Sequence, residues 1–373
     1  MKASASKKSL SWPLKFLLWI NVFNSLLLLG AYLGTHSSPN TISYLYFLGL
    51  GYPILLVTAV LFIVLWLFYR RKLAWISILT LVIGFNHLRH YYAVTLWQTE
   101  LTDPFKVMSF NVHVFDLYNP DGRVENRDRI FDFLEEQSAD VICFQEFFHQ
   151  DQPTNFPTKE LMIPRLEMPF YQERYTHALA QNRYFGVATF SKYPIVGEGE
   201  IAFENDDNNY CIYTDILKGT DTIRIFNAHI GSIRLQNDDY EFFGDDNGPN
   251  GYIEDKAVGQ RILVRLKNAF EKRAIQVEKV AEEIADSPHP VVYCGDMNDT
   301  PVSYSYSQIS RLLYDGFVES GNGIGQTYIG KVPSNRIDYI FYDEHFKSAN
   351  FTTHQVNLSD HKPVSIELEL EKD

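Results

Sequence analysis

Three short apolar segments in the C-terminal third of the chain each end abruptly in polar side chains. They are VVYCGDMNDTP at 291–301, RIDYIFYD at 336–343 and LSDHKPV at 358–364. An apolar run with a polar end is typical of a buried strand that delivers side chains to the rim of a sheet. If the three strands converge, their carboxylate, amide and imidazole groups share one pocket, which suits a hard divalent cation and a phosphate ester.

The segments upstream continue this pattern and alternate strands with helices. Apolar spacing predicts helices at 124–137 and 260–285. A strand–helix–strand order of this kind indicates an α/β fold. The predicted strands that end in polar groups are 105–116 with Asn111, 139–148 with Glu146 and 221–230 with His229.

Charge divides the chain into two parts. Residues 1–99 contain no Asp or Glu and eight Lys or Arg, so the remainder carries all 46 acidic residues against 25 of the 33 basic ones, a formal charge of −21. We therefore predict an N-terminal transmembrane region at 1–99 and a soluble domain at 100–373. A domain this acidic repels polyanions over most of its surface, which argues against tight, nonspecific binding of nucleic acid.

The N-terminal region contains three apolar segments, near 14–34, 42–69 and 73–97. The first has about the length that crosses a bilayer, and the second can cross with a tilt. The third is apolar only as far as Phe85, and its alternative is a helix that lies in the membrane interface. We expect about three transmembrane helices in all.

Basic residues at the ends of these segments predict their orientation. Lys2, Lys7 and Lys8 precede the first segment, and basic residues fill 70–72 after the second. By the positive-inside rule both places face the cytoplasm. Three spans then put the soluble domain on the periplasmic side of a bacterial inner membrane, as part of a multi-pass protein, whereas two spans leave it in the cytoplasm.

The order of the polar residues resembles that of the endonuclease/exonuclease/phosphatase superfamily, the DNase I-like fold, in a membrane-anchored bacterial form. The resemblance runs from about residue 105 to 368. It implies a four-layer sandwich of two mixed β-sheets flanked by helices, a divalent metal (Mg²⁺, with Mn²⁺ as a substitute) and hydrolysis of a phosphate ester by water. The residues that carry it are Asn111, Glu146, His229, Asp296, Asn298, Asp338, Asp360 and His361.

The resemblance assigns three of these residues to a metal site. Glu146 is the leading ligand, because Mg²⁺ takes one or two carboxylates and keeps several waters. Asn111 and Asp360 are expected in the same site. Taken singly, Glu146 fits an ion pair and Asn111 fits a turn. His113 is expected at the surface or in a structural position, and Arg336 is expected to be solvated or ion-paired.

The remaining residues are assigned to catalysis. Asp296 would orient or deprotonate the attacking water, and Asn298 would donate to a phosphate oxygen. His229 would also stabilise the developing charge, with Asp338 holding its tautomer, and His361 would lie near the scissile phosphate. Taken singly, 296–299 also fits an Asx turn and His229 fits a buried structural histidine.

These assignments favour a membrane-anchored, metal-dependent phosphoesterase that acts on phosphodiester or phosphomonoester bonds. A nuclease-like substrate and a lipid headgroup both remain open. The alternative is an inactive binding or scaffold module on the same fold, whose usual sign is the loss of Glu146, Asp296 or His361, and none of these is lost. The helices bring the lipid bilayer as a partner, and no protein partner is inferred. A transporter is disfavoured, because the apolar segments carry no acidic residue.

Overall fold

The computed structural model describes residues 10–371 except 43, 120, 152–153, 155, 180–181, 205, 234–255 and 331–335. Lys2, Lys7 and Lys8 therefore lie outside the described residues. The described chain begins with five helices and continues as a sandwich of two sheets. The helices are α1 (Trp12–Gly34), α2 (Leu45–Leu50), α3 (Tyr52–Tyr69), α4 (Arg71–Ile83) and α5 (Phe85–Arg89).

Two of these helices, α1 and α3, are long and apolar enough to cross a membrane. The predicted segment 42–69 is interrupted at Gly51, where α2 ends and α3 begins with a proline in its first turn. The predicted third helix at 73–97 is wrong in its extent. It ends at Ile83, a short turn of helix follows, and Tyr92–Ala93 is already a strand, so the described chain does not contain a clear third span.

Small and polar side chains hold the helices together. Ser77 on α4 donates to the side-chain oxygen of Asn21 on α1 at 2.6 Å, and the Asn24 amide donates to the backbone oxygen of Leu55 on α3 at 3.1 Å. Ala31 and Ala59 are buried between the helices, which lets the backbones approach closely. Large apolar side chains point outward instead, so the bundle presents an apolar surface.

The chain after α5 is bonded to the sandwich. Strand β1 (Tyr92–Ala93) pairs with β11 (Gly323–Ile324), and Thr95 and Gln98 make hydrogen bonds to backbone oxygens at 321 and 320. These contacts join segments that are more than 200 residues apart in the sequence. They hold the connection between the bundle and the sandwich, residues 92–98, against the sandwich.

Two six-stranded mixed sheets form the sandwich. The first sheet has the order β10-β12-β9-β8-β7-β6 and the second β13-β14-β2-β3-β5-β4. Within them, β8–β9 and β2–β3 are parallel pairs. The strands are β2 (Phe105–Asn111), β3 (Val141–Gln150), β4 (Phe170–Leu179), β5 (Arg183–Ser191), β6 (Ile195–Ala202), β7 (Tyr210–Lys218), β8 (Asp221–His229), β9 (Val291–Asp296), β10 (Tyr314–Asp315), β12 (Asp338–Tyr342), β13 (Phe346–Thr353) and β14 (Val364–Leu370).

Helices cover the outer face of each sheet, which confirms the predicted four-layer arrangement of two mixed sheets flanked by helices. Apolar residues of both sheets, among them Val107, Ile225 and Ile366, form the buried layer between the sheets. The second sheet packs against α6 and α7, and the first sheet packs against α8 and α9. The helices of the sandwich are α6 (Arg123–Gln137), α7 (Thr158–Leu166), α8 (Lys256–Ala285), α9 (Tyr304–Ser310) and α10 (Gly316–Ser320).

The helical bundle packs directly on the sandwich. A Cβ added to Gly49 of α2 would lie 2.0 Å from the backbone oxygen of Val302, and Val302 is buried against α1 and α3. Ser307 on α9 donates to the backbone oxygen of Thr35 at 2.5 Å. Any residue larger than glycine at position 49 would push the two units apart. The backbone of α2 therefore lies directly against the backbone at Val302.

A buried ion pair anchors the loop before β12. Both terminal nitrogens of Arg336 donate to the carboxylate of Asp315, at 2.9 and 2.6 Å, and both side chains are almost fully buried. The Asp315 carboxylate also accepts from the Tyr306 hydroxyl and from the backbone N–H of Phe317. Arg336 is thus ion-paired, and its position is structural.

Removal of one partner from this pair leaves the other charge buried without compensation. We expect Arg336→Ala to reduce the free energy of unfolding by about 3–5 kcal/mol. In a domain of this size that loss corresponds to a fall in Tm of about 6–20 °C in thermal unfolding of the full-length protein. The exposed pair of Lys347 and Glu371 is the matched control, since Lys347→Ala should cost about 1 kcal/mol or less. Equal effects of the two variants would contradict this interpretation.

Candidate active site

Three neighbouring strands of the first sheet align three site residues in one row. His229 ends β8 opposite Asp296, which ends the parallel strand β9. Asp338 begins the antiparallel strand β12, also opposite Asp296. Parallel neighbours end at the same edge of a sheet, and an antiparallel neighbour begins there, so the strand pairing alone brings these three side chains together.

The second sheet contributes Asn111 and Glu146 to the same place. Asn111 ends β2, and Glu146 lies in a bulge of β3 with a φ of +50°, which turns its side chain toward the first sheet. The Asn111 amide donates to Glu146 at 3.3 Å and to Asp296 at 3.0 Å. Its oxygen accepts from the backbone N–H of His113 at 3.0 Å. Asn111 therefore orients two carboxylates across the gap between the sheets.

His229 points into the gap between these carboxylates. Its Nε2 lies 3.7 Å from Glu146 and 3.8 Å from Asp296, beyond hydrogen-bond distance of either. Among the residues that the structure describes, this buried nitrogen has no hydrogen-bond partner. A buried polar group in this state costs free energy unless a ligand satisfies it. We call the space bounded by Asn111, Glu146, His229, Asp296 and His361 the cleft.

His361 forms the other wall and is paired with Asp338. Its Nδ1 lies 3.1 and 3.0 Å from the two carboxylate oxygens of Asp338, and its Nε2 lies 3.8 Å from Asp296. The expectation that Asp338 holds His229 is therefore wrong, because Asp338 orients His361 instead. Thr327 fixes this end of β12, since its hydroxyl accepts from the backbone N–H of Asp338 at 3.1 Å.

Asn298 supports Asp296 through the backbone. Its N–H donates to the Asp296 carboxylate at 2.8 Å, in a tight turn with a φ of +51° at Asn298. Its side-chain amide donates to the backbone oxygen of Ile230 at 3.0 Å, and Arg273 donates to its backbone oxygen at 2.7 Å. The Asx turn is therefore present, and the side-chain amide is bonded to Ile230, so the contact of Asn298 with a phosphate oxygen stays a prediction.

Asp360 lies at the rim of the cleft. Its carboxylate is 3.6 Å from Nδ1 of His113 and 3.3 Å from the Ser359 hydroxyl, and it is partly exposed. His113 is half exposed, in agreement with the surface position expected for it. Sequence reasoning gave no role to Thr327, which lies beside the RIDYIF segment.

The charges in the cleft shift each other's pKa values. Burial lowers the pKa of His361, but the carboxylates of Asp338 and Asp296 outweigh burial and raise it to about 10. Burial raises the pKa of Asp296 to about 6. Burial also raises the pKa of Glu146, but nearby imidazoles, first of all His229, outweigh burial and hold it below its usual value. At neutral pH the cleft therefore holds ionised carboxylates beside a protonated His361.

Glu146 offers the better position for a hard cation. The ligand atoms of Asp296, Asp338 and His361 lie within 4.8 Å of one another, which is close enough for a metal. The raised pKa of His361, however, keeps its imidazole protonated beside the Asp338 carboxylate, so this group is better described as an ion pair. Glu146 is ionised and partly exposed, and the Nε2 of His229 faces it at 3.7 Å. The residues around Glu146 thus fit Mg²⁺ or Mn²⁺, which prefer carboxylate oxygens.

An apolar cavity of about 290 Å³ adjoins the cleft. Glu146 and His229 form one side, and Val114, Phe185 and Val187 are among the residues on the other. A ligand that fills both spaces would place a charged group in the cleft and an apolar group beside it.

A four-layer α/β sandwich with carboxylates and imidazoles at one edge of both sheets defines a class of phosphate-ester hydrolases. Residues 108–361 match the model of the Endonuclease/Exonuclease/phosphatase family, and the chain belongs to that family. Residues 14–91 match a second model, described as a domain of unknown function (DUF8431). No curated protein matches the chain.

Solved structures of low sequence identity share the fold. An endonuclease/exonuclease/phosphatase from Beutenbergia cavernae DSM 12333 has a TM-score of 0.53 at 18% identity, over 72% of each chain. A family protein from Bacteroides thetaiotaomicron has a TM-score of 0.51 at 17% identity, over 73% of this chain and 100% of that one. The human Nocturnin catalytic domain with bound sulfate anion has a TM-score of 0.50 at 16% identity, over 73% and 97%.

The pairing of His361 with Asp338 has a measurable consequence. Because the carboxylate stabilises the imidazolium, Asp338→Asn should lower the pKa of His361 toward the usual histidine range. NMR titration of histidine ring signals measures this directly. His354 is an internal control in the same spectra, because its pKa is lowered by burial and its ring bonds to Ser365, away from Asp338. An unchanged titration of His361 would contradict the pairing.

Proposed function

We propose that this chain is a membrane-anchored, divalent-metal-dependent phosphoesterase that hydrolyses the phosphate ester of a lipid headgroup at the membrane surface. The observation that carries the phosphoesterase proposal is the cleft itself. It combines ionised carboxylates from both sheets with two imidazoles, and the buried Nε2 of His229 bonds to none of the described residues. A buried nitrogen without a partner costs free energy, and a scaffold module that binds no ligand in the cleft would gain nothing from that cost.

Asp296 acts as the general base. The backbone N–H of Asn298 and the amide of Asn111 each hold one of its oxygens, so its position is fixed. With a pKa of about 6 it is ionised at neutral pH and still basic enough to take a proton from water. Its burial excludes bulk water from the side that faces the sheets.

His361 and His229 stabilise negative charge on the phosphate. His361 is protonated and held by Asp338, so its Nε2–H can donate to a phosphate oxygen. The Nε2 of His229, which has no hydrogen-bond partner in the described part of the chain, can do the same from the opposite wall. A divalent cation held by Glu146, with Asn111 and Asp360 beside it, would neutralise charge on the phosphate oxygens. Donors preset in this way lower the barrier without reorganisation.

The arrangement of the helices supports a domain outside the cytoplasm. Leu14 and Leu17 at the start of α1 pack with Trp66 at the end of α3, whereas Thr35 at the end of α1 contacts the sandwich. The basic turn at 70–72 therefore lies at the end of the bundle away from the sandwich. Helix α4 and the short helix α5, separated by a break at Gly84, return the chain from this turn to the sandwich. Their combined length is about 27 Å, against roughly 30 Å for a hydrocarbon core. With the basic end in the cytoplasm, the sandwich lies in the periplasm.

A lipid headgroup is favoured over nucleic acid by position and charge. Asp296 is only six residues before Val302, which is buried against the helices, so the catalytic carboxylate lies at most roughly 22 Å from the bundle. The apolar cavity beside Glu146 suits a non-polar part of a substrate. The formal charge of −21 beyond residue 99 disfavours a nucleic-acid duplex.

Removal of the base or of the cation ligand should stop hydrolysis. With Mg²⁺ or Mn²⁺ present, Asp296→Asn and Glu146→Gln should reduce cleavage of bis-p-nitrophenyl phosphate by the full-length protein by about 10²–10⁴-fold. Asp221→Asn and Glu344→Gln are matched controls away from the cleft and should retain full activity. EDTA should stop the reaction of the wild type, and full activity in EDTA would remove the metal from the mechanism. Nicking of plasmid DNA without release of lipid headgroups from vesicles would instead identify a tethered nuclease.

Fusions at the C-terminus test the side of the membrane. An alkaline phosphatase fused after the last residue should be active and a green fluorescent protein should be dark, because the first folds only in the periplasm and the second only in the cytoplasm. The reverse result would place the sandwich in the cytoplasm. Neutralising the basic residues at 70–72 should weaken the orientation signal and give mixed reporter activity.

A further inference from the structure

A second cavity lies between the helical bundle and the sandwich, away from the cleft. Its volume is about 480 Å³, enough for a phosphate group and part of the alcohol that is esterified to it. The bundle contributes His36 after α1 and Arg89 at the end of α5, and the sandwich contributes Arg311 after α9. Residues of both units therefore line one cavity, which is open to solvent on the side of His36, Arg89 and Arg311.

The cavity is cationic in a domain that is strongly acidic overall. Within the described part of the chain, no carboxylate lies within ion-pair distance of Arg89 or Arg311, and the one polar contact of Arg311 is to His36 at 3.4 Å. Of the two carboxylates in the lining, Asp315 is already neutralised by Arg336. Glu319 is left as the opposing charge.

Two more imidazoles line the same space in fixed orientations. The ring of His87 stacks on Tyr32 at 4.8 Å between centroids, and the ring of His90 lies 4.7 Å from Tyr306. Imidazole N–H groups and guanidinium groups are the donors that proteins use for phosphate, and arginine does so with two parallel hydrogen bonds. Arg89 and Arg311 come from different units, so one anion could bridge them.

The cavity lies at the end of the apolar outer surface of the helical bundle. Ile83 lines it, and Ile83 and Phe85 are 68% and 57% exposed on the outside of the bundle. If the bundle spans a bilayer, this is the level of the lipid headgroups. We propose that the cavity binds the phosphate group of an anionic membrane lipid and thereby clamps the bundle to the sandwich. The lipid source rests on the proposed membrane insertion, whereas the phosphate site does not.

Ligand-induced stabilisation tests this proposal on the full-length protein. The protein is placed in nanodiscs of phosphatidylcholine, with or without phosphatidylglycerol, and separately titrated with inorganic phosphate in phosphatidylcholine nanodiscs. EDTA is present throughout, so that metal-dependent binding of phosphate in the cleft does not contribute. Phosphatidylglycerol should raise the Tm of the wild type, and Arg89→Gln with Arg311→Gln should weaken the response by at least about tenfold in ligand concentration.

Two further variants keep the test sharp. Arg129→Gln with Lys347→Gln removes the same charge from exposed positions elsewhere and should respond as the wild type does. Glu319→Gln removes the opposing carboxylate and should strengthen the response, which a merely destabilising effect of substitution would not do.

A response to inorganic phosphate alone, lost in the double arginine variant, would retain the site with a soluble ligand. An equal response of the wild type and the double arginine variant, or no response of the wild type to either ligand, would overturn the proposal. The Tm measurement needs no turnover. A failure of the hydrolysis assay would therefore leave this test of the phosphate site unaffected.

Discussion

The hydrogen bonds of one amide, that of Asn111, join the two halves of the candidate active site. Asn111 belongs to the second sheet, and its amide contacts both Glu146 of the same sheet and Asp296 of the first. One layer below, Gln145 donates to Asn227 at 2.8 Å across the same gap. These buried polar bonds between otherwise apolar sheets are satisfied only in one relative position of the sheets. The geometry of the cleft therefore depends on the packing of the whole sandwich.

Which strands would carry polar ends could be predicted from the sequence, because an apolar run with a polar end needs only local information. The row of His229, Asp296 and Asp338 then follows from strand pairing. Strand pairing does not predict which histidine pairs with the Asp338 carboxylate. His361 comes from a loop, and its isolated bridge to Tyr328 sets its position. Such a contact between two loops leaves no periodic signal in either segment.

The helical region shows the same division between local and distant information. Hydropathy located the apolar segments, since burial in lipid or in a bundle requires apolar residues along a whole helix. It could not locate the end of the third segment, because 92–98 is fixed by bonds to residues 320–324. Nor could it show that Gly51 separates a short helix from a long one. That short helix, α2, packs its Gly49 against the backbone at Val302.

The loop from Asp296 to Val302 belongs to both units at once. Its first residue is the proposed base, and its last is buried against the apolar helices of the bundle. Between them, Asn298 is held by Arg273, which is itself buried and lies 3.4 Å from Asp299. A displacement of the bundle would therefore act on a loop with little freedom to absorb it. Because the proposed base and the contact with the bundle share this short segment, we expect the helical bundle to help position the Asp296 carboxylate.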